Sequence, residues 1–165
     1  MIAVRDAERD DAEALGEVHA ASWAAAYAPF FDPAFAADAV RDRRTRWSAR
    51  IGQVPGRILL AEAGGRPLAF SFSLPSSTRP ELAEIYSFYC HSDAWGAGVA
   101  AALMTGTLDR LRDDDFARVH LWTLQDTPRS RRLYARSGFL ETGAERAHDF
   151  GDGNPLVQVE YERAC

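Results

Sequence analysis

The chain has 165 residues, nearly half of them apolar, which suits one domain around one core and excludes a disordered polypeptide. Its 19 basic and 24 acidic side chains leave a net charge of -5, too acidic for general nucleic-acid binding, which needs a basic face to displace counterions. No apolar run could span a bilayer, the N-terminus lacks the basic and apolar regions of a signal peptide, and Cys90 and Cys165 form neither a disulfide framework nor a metal motif, so a cytoplasmic protein is expected.

Periodicity predicts a short strand over Ile2–Arg5 and then a helix capped by Asp10 or Asp11, whose carboxylates can accept from free N–H groups. Leu15, Val18, His19, Ser22, Trp23, Ala26 and Tyr27 recur at helical spacing until Pro29 stops the pattern. Asp32-Pro33 restarts a helix, a cap followed by proline at the first helical position, and this one is expected to reach Arg50. Between the two helices Tyr27, Phe30 and Phe31 make an unusually aromatic connection.

The period then changes. Arg57–Ala63 and Pro67–Leu74 flank Gly64-Gly65, a hairpin signal because both turn positions tolerate positive φ. Leu82–Cys90 is almost continuously apolar or aromatic, as in a central strand covered on both faces. Val99, Ala100, Leu103, Met104, Thr107, Leu108 and Leu111 mark an amphipathic helix, Phe116–Leu124 a strand, and Pro128–Ser137 a helix ended by Gly138. Phe139–Phe150 and Leu156–Glu162 read as a closing hairpin, with Gln158, Glu160 and Glu162 on a wet face. Without repeats or linkers, residues 1–165 are expected to form one α/β domain on a mixed sheet.

Two stretches carry chemistry. His91 to Ala100 leaves a buried strand, turns on Gly96 and Gly98, and enters a helix. Small residues let backbone N–H groups approach a phosphate there, and a helix N-terminus adds partial positive charge. Glycines between strand and helix also serve plain turn geometry, so this turn alone leaves both readings open. Neither GxGxxG nor GxxxxGK[ST] is present. The second stretch is Thr127-Pro128-Arg129-Ser130-Arg131-Arg132-Leu133-Tyr134, followed by Gly138-Phe139.

Together these stretches resemble the GNAT superfamily, the Gcn5-related N-acetyltransferases. Gly98 and Ala100 fill the last two slots of the family's [Gln/Arg]-x-x-Gly-x-[Gly/Ala] loop, with Trp95 where Gln or Arg is usual. Thr127, Ser130, Leu133, Tyr134 and Gly138-Phe139 occupy the Asn-x-x-Ala-x-x-Phe-Tyr … Gly-Phe slots, with Thr replacing Asn. The resemblance implies an α/β (α+β) fold whose central sheet is mixed, mostly antiparallel, splayed between two strands and flanked by helices. It implies acetyl-CoA as co-substrate and no metal. Phe88, Tyr89 and Cys90 would bond the pantetheine arm, and Trp95, Gly96, Ala97, Gly98, Val99 and Ala100 the pyrophosphate. Thr127, Arg131 and Tyr134 would complete the coenzyme site, one arginine of the helix reaching the 3′-phosphate.

Tyr134 stands where the family places the tyrosine that protonates the departing thiolate; its alternative is a core aromatic. Glu84, a carboxylate inside an apolar strand, is the candidate base, with ordered water as the alternative. Its distance from Trp95 resembles that in the histone-acetyltransferase branch. Cys90 reads as a small core residue, and His19, His91, His120 and His148 lack ligand spacing. Trp23, Tyr27, Phe30 and Phe31 are the expected acceptor wall; the alternative is that they pack on the sheet and staple two helices. The expected acceptor is a small-molecule or protein amine, with neither nucleic acid nor membrane as partner, and a homodimer is one expected assembly. A catalytically silent acyl-CoA-binding protein and a transferase of longer acyl chains remain the alternatives.

Overall fold

The elements run β1 (Ile2–Asp6), α1 (Ala12–Ala26), α2 (Pro33–Thr45), α3 (Trp47–Arg50), β2 (Arg57–Ala63), β3 (Arg66–Pro75), β4 (Ala83–Cys90), α4 (Val99–Asp113), β5 (Arg118–Leu124), α5 (Pro128–Arg136), β6 (Leu140–His148) and β7 (Leu156–Ala164). They come from a computed structural model that describes every residue, Met1–Cys165. The strands form a seven-stranded sheet in the order β1-β2-β3-β4-β5-β7-β6. Pairs β1–β2, β2–β3, β5–β7 and β6–β7 are antiparallel, while β4–β5 is parallel. The mixed sheet expected from the alternation of periods is therefore present. The chain divides into two compact units, Met1–Ser73 with Ser87–Thr107 and Leu74–Tyr86 with Leu108–Cys165.

In the first unit Leu59, Ala61, Leu68 and Ala69 bury themselves against Ala94, Val99 and Leu103, with Ile2, Val4, Phe88 and Cys90 packed alongside. The apolar row of α1 is buried through Leu15, His19 and Trp23. Helix α1 also crosses α2 closely: a Cβ on Gly16 would lie 2.0 Å from the Arg44 carbonyl oxygen, so only glycine fits. Asp32 caps α2 as expected, its Oδ1 accepting from the Ala34 N–H at 2.9 Å. Asp11 differs from expectation. It stands at the start of α1, but its carboxylate accepts from the Glu8 N–H and from both Nη atoms of Arg5. A nearby guanidinium outcompetes the helix amides for it. The long second helix is also interrupted, ending at Thr45 and resuming at Trp47. The Thr45 hydroxyl bonds back to the Arg41 carbonyl at 3.1 Å, a local bond that competes with the helical ladder.

In the second unit Val119, Leu121, Leu124, Phe139, Val159 and Tyr161 supply the core. Gly138 takes φ 84° at the end of α5, the left-handed value that terminates helices. The β4–β5 ladder comprises two pairs, Ala83–Val119 and Glu84–His120. Beyond them Tyr86 is 67 % exposed, so β4 is not covered on both faces as its composition suggested. The face of β7 expected to be wet is not: Gln158 and Glu160 are buried and Val157 is exposed. Both polar side chains are buried because each is paired. Gln158 accepts from Arg146 Nε at 2.7 Å, and Glu160 meets His120 and Arg79.

Candidate active site

The glycine turn belongs to the first unit and is built by its own backbone. His91 N–H donates to the Leu68 carbonyl at 2.7 Å, which fixes where β4 ends. Ser92–Ala94 then form one 3-10 turn, with the Asp93 N–H donating to His91 Nδ1 at 3.1 Å. Gly96 and Gly98 take φ 77° and 84°, conformations that side chains other than glycine's resist. Space is not the reason: a Cβ at Gly96 meets nothing and one at Gly98 meets Ile2 at 3.8 Å. The turn is exposed from Trp95 to Gly98 and runs into the 15-residue helix α4. Ala102 N–H donates to the Gly98 carbonyl, so the first-turn amides ahead of it have no intrahelical acceptor.

Trp95 has a defined job. Its indole Nε1 donates to the Cys90 carbonyl at 3.1 Å, tying the turn to the end of β4 while the ring stays 36 % exposed. Of the three strand residues expected to flank the pantetheine arm, Phe88 and Cys90 lean on the apolar cluster. Tyr89 instead packs tilted against His19 and Phe70, at 4.6 and 5.6 Å between ring centroids. Burial pushes the Cys90 thiol up to about 11, so at neutral pH it is no nucleophile.

The helix motif belongs to the second unit. Tyr134 is 6 % exposed, its ring edge-on to Phe139 at 6.0 Å and tilted against Tyr161 at 5.9 Å. Thr127 is buried and its hydroxyl donates to the Leu124 carbonyl at 2.7 Å, which occupies the proton an asparagine amide would have offered outward. Arg131 is likewise occupied, donating to the Tyr161 hydroxyl, the Gln125 carbonyl and the Glu141 carboxylate. Arg132 is exposed on the same helix. Glu84 is half-buried and pairs in register with His120. Negative charge at Glu84 and Glu160 acts on Arg146, whose guanidinium lies over the Trp122 ring at 4.4 Å.

The aromatic residues of α1 and the following turn separate into two groups. Trp23 and Phe31 are buried and stacked at 5.3 Å with 13° between planes, as the packing alternative holds. Tyr27 and Phe30 stay half-exposed, and Tyr27 meets Tyr89 edge-on at 6.1 Å.

Sequence reasoning missed two groups. His19 is buried between Trp47, Phe70 and Tyr89, and its Nδ1 accepts from Trp47 Nε1 at 3.1 Å. Burial, with Arg43, Arg46 and Arg50 nearby, pushes its pKa down to about 2. In the second unit Ser76 Oγ, His120 and Glu160 line up at 2.8 and 2.9 Å across the two imidazole nitrogens. Arg79 and Thr142 cover the carboxylate of Glu160. The only signal was a histidine inside an apolar strand.

Residues 17–139 match the model of the Acetyltransferase (GNAT) family. The chain belongs to that family. It is 33 % identical over 107 residues to a mycothiol acetyltransferase of Parafrankia sp. (strain EAN1pec), covering 55 % of this chain and 33 % of that protein. An N-acetyltransferase of Streptomyces griseus is 31 % identical over 96 residues, covering 54 % of this chain and 50 % of its own. The chain thus spans between a third and a half of the length of these curated relatives. Among solved structures, the PaiA N-acetyltransferase of Thermoplasma acidophilum, in complex with coenzyme A, superposes with a TM-score of 0.75 at 16 % identity. That match covers 100 % of this chain and 99 % of the other. The ribosomal-protein-S18-alanine N-acetyltransferase of Escherichia coli gives a TM-score of 0.70 at 16 % identity, covering 99 % of this chain and 94 % of the other. These likenesses establish the fold. No helix is long and apolar enough to cross a membrane.

Proposed function

We propose that this protein is an acetyl-CoA-dependent N-acetyltransferase that passes the acetyl group directly to an amine. The observation that carries the reading is the turn from Trp95 to Ala100, exposed as far as Gly98, in which two left-handed glycines lead into the N-terminus of a long helix. Open amides and a helix dipole hold a pyrophosphate without basic side chains, which suits a chain of net charge -5. Gly96, Ala97, Gly98, Val99 and Ala100 are assigned to the pyrophosphate, and Phe88, Tyr89 and Cys90 to the pantetheine arm through their backbone. Arg132 replaces Arg131 as the arginine for the 3′-phosphate, and the Thr127 hydroxyl stays bonded to Leu124.

Transfer requires the neutral amine to attack the thioester carbonyl carbon; the C–N bond forms, the C–S bond breaks, and the electron pair leaves on sulfur. Tyr134 is assigned to protonate that thiolate, a task for which its phenol O–H is the donor. Glu84, directly or through water, is assigned to take the proton from the amine. Direct transfer fits Cys90, whose thiol is held protonated. Tyr27 and Phe30 are assigned to the acceptor wall, with Trp23 and Phe31 packed behind them.

The test is calorimetry with acetyl-CoA together with release of free thiol over a panel of amines. Gly98→Val forces a branched side chain into φ 84° and is expected to abolish acetyl-CoA binding while circular dichroism stays native. Normal coenzyme binding by that variant refutes the loop assignment. Tight acetyl-CoA binding with no thiol release from any amine makes the protein a silent coenzyme binder.

A further inference from the structure

One half-buried cation in the first unit has no carboxylate hydrogen-bonded to it. Arg43, on α2, is half-buried with its guanidinium carbon 4.4 Å above the centroid of the Trp23 ring. Its Nη1 donates to the Ala39 carbonyl at 3.1 Å, and its Nε is buried without an acceptor. The indole beneath is 0 % exposed, and its Nε1 is a second buried donor without an acceptor. Buried N–H groups are almost always paired, so two orphans stacked on each other mark a place where an acceptor belongs.

The protein does not supply that acceptor. The neighbouring carboxylate, Asp42, is engaged by Arg46. His19 is held neutral by burial and by Arg43, Arg46 and Arg50. Burial pushes Arg43 below the usual arginine range, against the opposing pull of Tyr89, Asp42 and Tyr27. This is a cationic site under desolvation in an otherwise acidic chain, walled by Tyr27, Phe31 and Tyr89.

We propose that Arg43, held flat on Trp23, binds a carboxylate carried by the acceptor, so that the amines acetylated are amino acids or similar small amines bearing an acid group. The inference rests on the acetyl-transfer reading and narrows it. A guanidinium matches a carboxylate in geometry and charge, and the aromatic walls suit an apolar body attached to it. Polyamines and other multiply cationic amines are disfavoured, because Arg43, Arg46 and Arg50 repel them.

The experiment pairs each L-amino acid with its α-amide as acceptor and follows thiol release with the wild type, Arg43→Gln and Arg43→Lys. For the preferred side chain, the acid is expected to exceed its amide in kcat/KM by about ten- to a hundred-fold, the range for a hydrogen-bonded charge. Arg43→Gln is expected to erase that ratio by lowering the acid alone, and Arg43→Lys to retain part of it. Acetyl-CoA affinity is expected to be equal in all three proteins. Amides that match their acids in the wild type overturn the proposal, as does a loss shared by acid and amide in Arg43→Gln. A fall in acetyl-CoA affinity overturns it in favour of a coenzyme phosphate at Arg43. Should no amine be acetylated, the transfer reading has failed, and calorimetry of the N-acetyl amino acids on the CoA-saturated protein decides the site independently. Binding by the wild type and not by Arg43→Gln upholds the site, and no binding by any acid overturns it.

Discussion

Lowering the pH from 7 to 5 sets His19 against its surroundings. Folded, the imidazole stays neutral, because burial and three nearby arginines hold its pKa at about 2. Unfolded, it titrates near its ordinary value of about 6.5. The unfolded chain therefore binds more protons than the folded one between those two values. The stability involved is complete above the unfolded pKa and is lost progressively as the pH falls toward the folded one. At pH 5 the loss spans about 1.5 pH units at about 1.36 kcal/mol each, or about 2 kcal/mol. The assay is urea unfolding at both pH values of the wild type and of His19→Gln, which retains an acceptor for Trp47 Nε1. His148, also lowered by burial and by Arg146, contributes in the same direction to both proteins and cancels in the comparison. The depressed carboxylates, Asp11 and Glu162 among them, titrate lower still. The wild type is expected to lose about 2 kcal/mol more than the variant between pH 7 and 5. Equal losses would mean that His19 is protonated in the fold, and the burial argument would be wrong.

Tyr134→Phe keeps the ring against Phe139 and Tyr161, so acetyl-CoA affinity should hold while kcat falls by about 10²–10⁴-fold; an unchanged rate with chemistry limiting assigns the residue to packing. Glu84→Gln should remove or shift the acidic limb of the pH–rate profile, and a superimposable profile hands the base role to water. Gly16→Ala drives a methyl into the Arg44 carbonyl and should cost about 1–3 kcal/mol, read as a lowered melting temperature; an unchanged one means that α1 and α2 slide apart freely.

The elements were legible because their signals are local. Asp32-Pro33, Gly64-Gly65 and Gly138 each dictate a backbone conformation within two or three residues, and each does so in the structure. The glycine turn was readable for the same reason. What escaped was settled by partners distant in sequence. Asp11 is claimed by Arg5, and alternation along β7 pointed Glu160 at solvent until His120, forty residues earlier, met it. Thr127 and Arg131 sit in motif slots, yet one bonds Leu124 and the other Tyr161 and Glu141, contacts no motif spells out. Arg43 carried no signal of its own in the sequence; its unpaired Nε above the Trp23 ring is visible only in three dimensions.

The indole that ties the glycine turn to β4 also makes the protein report on itself. Trp23 and Trp47 are buried and Trp122 is shielded by Arg146, whereas Trp95 is the one large aromatic of the turn open to water. A ligand settling on residues 95–100 would shade that ring from iodide quenching and blue-shift its emission. Occupancy of the turn is therefore readable in the unlabelled protein, in milliseconds, before any chemistry has occurred.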